Sequence, residues 1–262
     1  DGIRDQPRSR GLGDVYKRQQ LVSQLLDTGN NVTVLARDES RVSSLKELGV
    51  NVVIGDGLIE SDVLAAIDVA KQTGDGAIAG AAHLIGSILL KPPHALKLAD
   101  FESVIRTNLT SAFLSLSLIS KSMLRTGGGR LVFTSSVAGS LGLVNHEAIA
   151  AAKGGIEAMV RAAAATYAQR KIRVNAVAPG LTETRLGATI LKSDAMREAA
   201  VSKIPMNRIN EPSEIATAVH WLLTGAPDNF TGQVLNLDGG MANVCLLYTS
   251  DAADDTPCVD LG

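Results

Sequence analysis

With 262 residues, 45% of them apolar and only 3% aromatic, the chain has the size of one larger α/β domain with an aliphatic core, a composition suited to parallel strands covered by helices on both faces. Its net charge of −2 provides no basic field for nucleic acid or an anionic membrane surface. No apolar run reaches the ~20 residues of a bilayer span, so the expected partner is a small molecule.

The two ends stand apart from this composition. Residues 1–20 and 244–262 carry no helical or strand period, resemble translated sequencing-adapter text, and read as foreign or disordered tails. The first holds five cations and three anions and the second four anions, which leaves residues 21–243 with no net charge. Both cysteines, Cys245 and Cys258, lie in the second tail. No disulfide or metal site is read from them, and the cysteine-free remainder fits a reducing, cytoplasmic setting.

From residue 21 the pattern is regular. Leu21, Leu25 and Leu26 form a helical stripe stopped by Gly29. Residues 31–36 read as a strand, 39–48 as an amphipathic helix, 50–54 as a strand, 60–72 as a helix and 77–85 as a strand of small residues. A long helix over 101–124, a strand over 130–134, an Ala-rich helix over 147–170 and a strand over 173–178 follow. A helix over 212–224 and a strand over 233–237 close the pattern. Strands alternating with helices of ten or more residues give one doubly wound, parallel α/β domain over 21–243 with right-handed crossovers. Such a sheet opens with a strand and a glycine-rich turn. Nothing strand-like precedes residue 21, and Gly11-Leu12-Gly13 reads as accidental glycines, so the first strand is expected to be missing or replaced.

The chemistry-bearing residues sit after the strands. Ser135-Ser136-Val137-Ala138-Gly139 precedes Ala148-Ile149-Ala150-Ala151-Ala152-Lys153, with Ser136 thirteen residues before position 149 and Lys153 four after it. That spacing resembles the serine, tyrosine and lysine of the short-chain dehydrogenase/reductase family, with Ile149 in place of the tyrosine. The resemblance covers roughly residues 21–243. It continues through Ala36-Arg37-Asp38, Asp56-Gly57, His83-Leu84-Ile85-Gly86, Asn108, Pro179-Gly180 through Thr184, and Thr231-Gly232-Gln233 through Asp238-Gly239-Gly240.

The resemblance implies a Rossmann-type fold and NADP-linked interconversion of a ketone and a secondary alcohol. Arg37 is then placed to meet a 2′-phosphate, which favours NADP over NAD, and Asp56 to meet the adenine amino group. Gly86 lets backbone approach the cofactor. Asn108, locally unfavourable inside a helix, distorts that helix and holds a water of a proton relay. Ser136 binds the substrate oxygen, Lys153 the nicotinamide ribose, and the loop of Pro179, Gly180 and Thr184 the carboxamide. His83 stands where the family has asparagine and reads as a structural hydrogen-bonding substitute. The helix over 147–170 implies a homodimer or homotetramer, and residues 186–207 a substrate wall of apolar character.

The missing phenol qualifies the activity, because losing a positioned general acid costs ~10²–10⁴ in rate. His146, three residues before Ile149, is the candidate replacement acid. In the plainer reading Asn145 caps the helix and His146 is incidental. The chain is thus expected to be an oxidoreductase impaired at its proton donor. The alternative is a catalytically inactive dinucleotide- or ligand-binding homologue serving as a sensor or structural subunit.

Overall fold

The alternation in the sequence is realised as parallel strands with helices on both faces. The computed structural model describes residues 13–184, 187–189, 191 and 193–244. In chain order the elements are α1 (Gly13–Asp27), β1 (Thr33–Ala36), α2 (Ser43–Glu47), β2 (Asn51–Ile54), α3 (Glu60–Thr73), β3 (Gly80–His83), α4 (Leu98–Ile105) and α5 (Ser111–Thr126). There follow β4 (Gly129–Thr134), α6 (Glu147–Tyr167), β5 (Ile172–Pro179), α7 (Asp194–Val201), α8 (Pro212–Thr224) and β6 (Val234–Leu237).

All strand pairs are parallel. β1 pairs with β2, Thr33 opposite Asn51, and the order β3-β4-β5-β6 forms a second, four-stranded group. The expected single sheet is therefore parted between β1 and β3, the place where a doubly wound sheet carries its first strand. Among the described residues no strand precedes α1.

Two apolar layers hold the strands. On one face Leu21 of α1 and Ile215, Val219 and Leu222 of α8 pack on Val132 and Val177. On the other, Val63 and Ile67 of α3, Leu116 of α5 and Ile156 and Val160 of α6 pack on Leu131, Phe133 and Val174. Because β4 and β5 are buried on both faces, their side chains read as nearly unbroken apolar runs.

Several boundaries differ from the periodicity. α1 begins at Gly13, eight residues before Leu21, where the expected apolar stripe starts. Arg18, Gln19 and Gln20 are good helix formers, and helix propagation needs no apolar stripe. The helix expected over 39–48 is a 3₁₀ turn, Glu39–Arg41, followed by the short α2. The long helix over 101–124 is α4 and α5 joined by a π turn, Arg106–Thr110. α7 went unseen because it buries no residue and so leaves no core-facing stripe.

α8 shows local specification clearly. Glu211 at its N-cap and Glu214 form a reciprocal capping box, and Pro212 fills the first helical position. The Arg208 guanidinium forks onto Glu214 at 2.8 and 2.6 Å. That pair, with the Glu211 amide, holds the Glu214 carboxyl down at about 2. Glu211→Ala is expected to cost about 1 kcal/mol of stability, read as a lower urea midpoint with an unchanged slope.

Candidate active site

The site is assembled where β3, β4 and β5 end. Asn108 sits inside the π turn, fully buried. Its amide nitrogen donates to the Val104 carbonyl at 2.9 Å, to Ser87 Oγ at 3.1 Å and to the Ser87 carbonyl at 3.3 Å, while its Oδ1 accepts from the Ser87 amide at 3.2 Å. The side chain thereby replaces backbone partners in the widened turn and fastens the helix to the loop after β3. This is the distortion expected of an asparagine that its own helix disfavours. Gly86 lies in that loop. A Cβ there would come within 3.2 Å of Asn108 Oδ1 and 3.6 Å of Lys153 Nζ, so the missing side chain keeps open a cradle bordered by both groups.

Lys153, on α6, is buried, and its ammonium donates to the Thr134 carbonyl at 2.7 Å. Ser136 follows the end of β4. Its hydroxyl donates to the Pro179 carbonyl at 3.5 Å and accepts from the Ala138 amide at 3.3 Å. Three strand ends thus bring Gly86, Asn108 and Lys153 to one place and Ser136 against Pro179. The remainder of that loop is self-tied. The Gly180 amide donates to the Leu237 carbonyl, and Thr184 Oγ1 donates to the Thr182 carbonyl and accepts from the Gly187 amide at 3.1 Å.

Ile149 is buried in an apolar cluster with Val104, Ala138, Ala148 and Ala152, against which Leu109 and Phe101 pack. An i,i+4 spacing on α6 puts it on the same face as Lys153. His146, at the start of the same helix, pairs its Nδ1 with the Val144 carbonyl at 2.7 Å. The helix cap also differs from the expectation. Asn145 has a left-handed backbone (φ 62°) and His146 occupies the N-cap without a side-chain cap bond.

His83 takes the structural part expected of it. The Ser111 hydroxyl donates to the Thr107 carbonyl at 2.6 Å, so the 2.9 Å contact between Ser111 Oγ and His83 Nε2 has the ring donating. The ring is buried, and among the described residues Nδ1 has no hydrogen-bond partner. Burial first, and the nearby Lys153 charge second, push its pKa down to about 3, so the imidazole is neutral.

Apart from this group, Arg37, following β1, stands 3.8 Å from Asp56, following β2. Asp56 Oδ1 accepts from the Leu58 amide at 3.0 Å, which fixes the turn. Both side chains keep substantial exposure.

One residue escaped the sequence reading. Glu157 is buried on α6 and accepts from Ser135 Oγ at 2.8 Å, and the same oxygen lies 3.2 Å from the Lys153 carbonyl. The available signal was an acid four residues after Lys153 in the middle of an Ala-rich helix. Among the described residues no group of three His, Cys, Asp or Glu side chains is arranged to hold a metal, and no helix is long and apolar enough to cross a membrane.

A family model described as Enoyl-(Acyl carrier protein) reductase matches residues 19–242. A tropinone reductase homolog of Arabidopsis thaliana is 30% identical over 239 residues, covering 88% of each chain. The 2-(S)-hydroxypropyl-CoM dehydrogenase 3 of Xanthobacter autotrophicus is 35% identical over 188 residues, 70% of this chain and 73% of that one. Among solved structures, a gluconate 5-dehydrogenase from Burkholderia cenocepacia in complex with NADP and tartrate superposes with a TM-score of 0.81 at 25% identity, covering 87% of this chain and 92% of the other. Strand order, the strand-end cluster and a family match across most of the sequence agree: the chain belongs to the short-chain dehydrogenase/reductase family of NAD(P)-dependent oxidoreductases.

Proposed function

We propose that the protein interconverts a ketone and a secondary alcohol with NADP, at a rate limited by the absence of a phenol at position 149. The observation that carries this reading is the cradle at Gly86, bordered by Asn108 Oδ1 and Lys153 Nζ. An open, backbone-lined space beside a buried ammonium suits a nicotinamide riboside, and Arg37 beyond β1 suits an adenosine 2′-phosphate. The bound nicotinamide supplies or accepts the hydride.

The protein's own groups do the rest. Lys153, anchored on the Thr134 carbonyl at the border of that cradle, is the ammonium that meets a ribose hydroxyl. Ser136 Oγ exchanges its 3.5 Å contact with Pro179, too long to be strong, for a bond to the substrate oxygen. Glu157 holds Ser135 and, through it, the turn that presents Ser136. Asn108 keeps the Gly86 loop in place. The proton for the substrate oxygen has no donor at Ile149 and arrives from water, which is the step that slows turnover. The exposed small face of α6, with Ala151, Ala158, Ala162 and Ala165, supports close approach of a second copy and a homodimer or homotetramer. The cytoplasmic setting follows from the cysteine-free 21–243 segment.

The choice of cofactor is testable through Arg37. Its contact with Asp56 is long and exposed, so it is given up cheaply. Arg37→Glu is expected to weaken NADPH binding roughly ten- to hundredfold and leave NADH binding nearly unchanged. Fluorescence titration with both dinucleotides reads the difference; equal losses for the two contradict 2′-phosphate recognition.

A further inference from the structure

Asn210, two residues ahead of α8, is buried, and its bonds run to two other segments. Its amide N–H donates to the Leu181 carbonyl at 2.9 Å, and its carbonyl accepts from the Glu183 amide at 2.8 Å. It thereby pairs with Thr182 as a single parallel bridge. Its side-chain Nδ2 donates to the Leu237 carbonyl, at the end of β6. That carbonyl also accepts from the Gly180 amide at 2.8 Å. A carbonyl oxygen has two lone pairs, and here the loop after β5 fills one and Asn210 the other. The loop, the end of β6 and residue 210 are thus bonded pairwise in a closed triangle.

The seat under the loop is itself tied. Asp238, buried just after β6, accepts from the Gly240 amide at 2.9 Å and from the Ala242 amide at 2.8 Å. A Cβ on Gly180 would come within 3.0 Å of Asp238 Cα and Cβ, so the loop lies flush on that residue and needs glycine to do so. A further tie reaches the loop from outside, where Arg197 of α7 forks onto Glu183 at 3.2 and 2.7 Å. Both of those side chains are about half exposed, and an exposed ion pair contributes little. The main-chain bonds of residue 210 survive a change of its side chain. The buried bond to Leu237 does not, and it sets how far residues 181–183 stand from β6.

We propose that Asn210 is a positioning residue for the cofactor: through Leu237 it holds the loop of Pro179, Gly180 and Thr184 where that loop meets the nicotinamide end of the dinucleotide. Asn210 acts through the loop and touches neither cofactor nor substrate. The proposal rests on the NADP-linked reading above and concerns only the nicotinamide end. Arg37 and Asp56, which take the adenosine end in that reading, follow β1 and β2, in the other group of strands. A shift of the loop against β6 therefore leaves the adenosine end in place and moves only the contacts to the nicotinamide.

The test uses the full chain and two ligands, NADPH and adenosine 2′,5′-bisphosphate, which is the adenosine end without the nicotinamide. Calorimetry reads both affinities. Asn210→Ala is expected to weaken NADPH binding about five- to tenfold and to leave bisphosphate binding within about twofold. Asn210→Asp sets an oxygen against the Leu237 carbonyl and is expected to lose about tenfold or more for NADPH alone. Glu211→Ala, which removes the α8 cap and leaves the bond to Leu237, is expected to change neither affinity and controls for lost stability. In the wild type, saturating NADP is expected to slow amide hydrogen exchange at Gly180 and Glu183 about threefold or more, a readout that requires no variant to fold. Equal losses for the two ligands make Asn210 a part of the fold only, and unchanged NADPH affinity in both Asn210 variants removes it from the site; either result overturns the proposal. So does unchanged exchange at both amides, or a wild type that binds NADPH no more tightly than the bisphosphate. A folded wild type that binds neither ligand overturns the NADP-linked reading itself, and the proposal with it.

Discussion

Ile149→Tyr is expected to raise kcat for ketone reduction by about 10²–10⁴. Hydride transfer to a carbonyl carbon leaves charge on its oxygen, and isoleucine has no proton to give. Position 149 faces the same side of α6 as Lys153 one turn later, so a phenol there lies within the influence of a buried ammonium. The gain carries a structural cost. Ile149 is tightly enclosed by Val104, Ala138, Ala148 and Ala152, and a larger ring in that cluster overpacks it by about 1–3 kcal/mol. The variant is therefore expected to be faster and less heat-stable together. His146→Ala, by contrast, is expected to change kcat little, because that ring is engaged with the Val144 carbonyl. A faster Ile149→Tyr enzyme measured by NADPH consumption supports this account. A fall in activity with His146→Ala returns the acid to His146.

Acid is expected to destabilise the protein through His83, on the order of 5 kcal/mol if the whole window is crossed. Nε2 already donates to Ser111, so a second proton must sit on Nδ1, which finds no acceptor among the described residues and lies in the field of Lys153. The folded-state pKa of about 3 lies below the ~6.5 of an unfolded histidine. Between those values the unfolded chain binds the proton and the folded chain does not. Stability is therefore whole above pH 6.5 and is lost as pH falls toward 3. Urea midpoints of the wild type and His83→Asn at pH 7, 5 and 4 check this. The wild type is expected to lose stability more steeply, and parallel curves would contradict the assignment.

How much of this was legible in the sequence follows from what each feature depends on. Ser136, Lys153 and Asn108 were singled out by a spacing that resembles the family's, not by the local apolar pattern. The π turn was foreshadowed by an asparagine placed where a helix disfavours it. The link from Glu157 to Ser135 was not readable, since it joins residues 22 apart across two elements and depends on how α6 lies on β4. Arg37 and Asp56 were each visible, but their approach depends on the pairing of β1 with β2. The early start of α1 escaped because residues 13–20 carry no apolar helical period. The parting of the described strands into two groups took three dimensions to see.

NADPH binding to the wild type and to Lys153→Met, followed by cofactor fluorescence, tests the central claim most directly, because it asks whether the amine beside Gly86 and Asn108 holds the nicotinamide end. Saturable binding by the wild type, weakened about tenfold or more in the variant with thermal stability retained, is the result predicted here. Equal affinity in the two proteins, or no binding by a folded wild type, would contradict it.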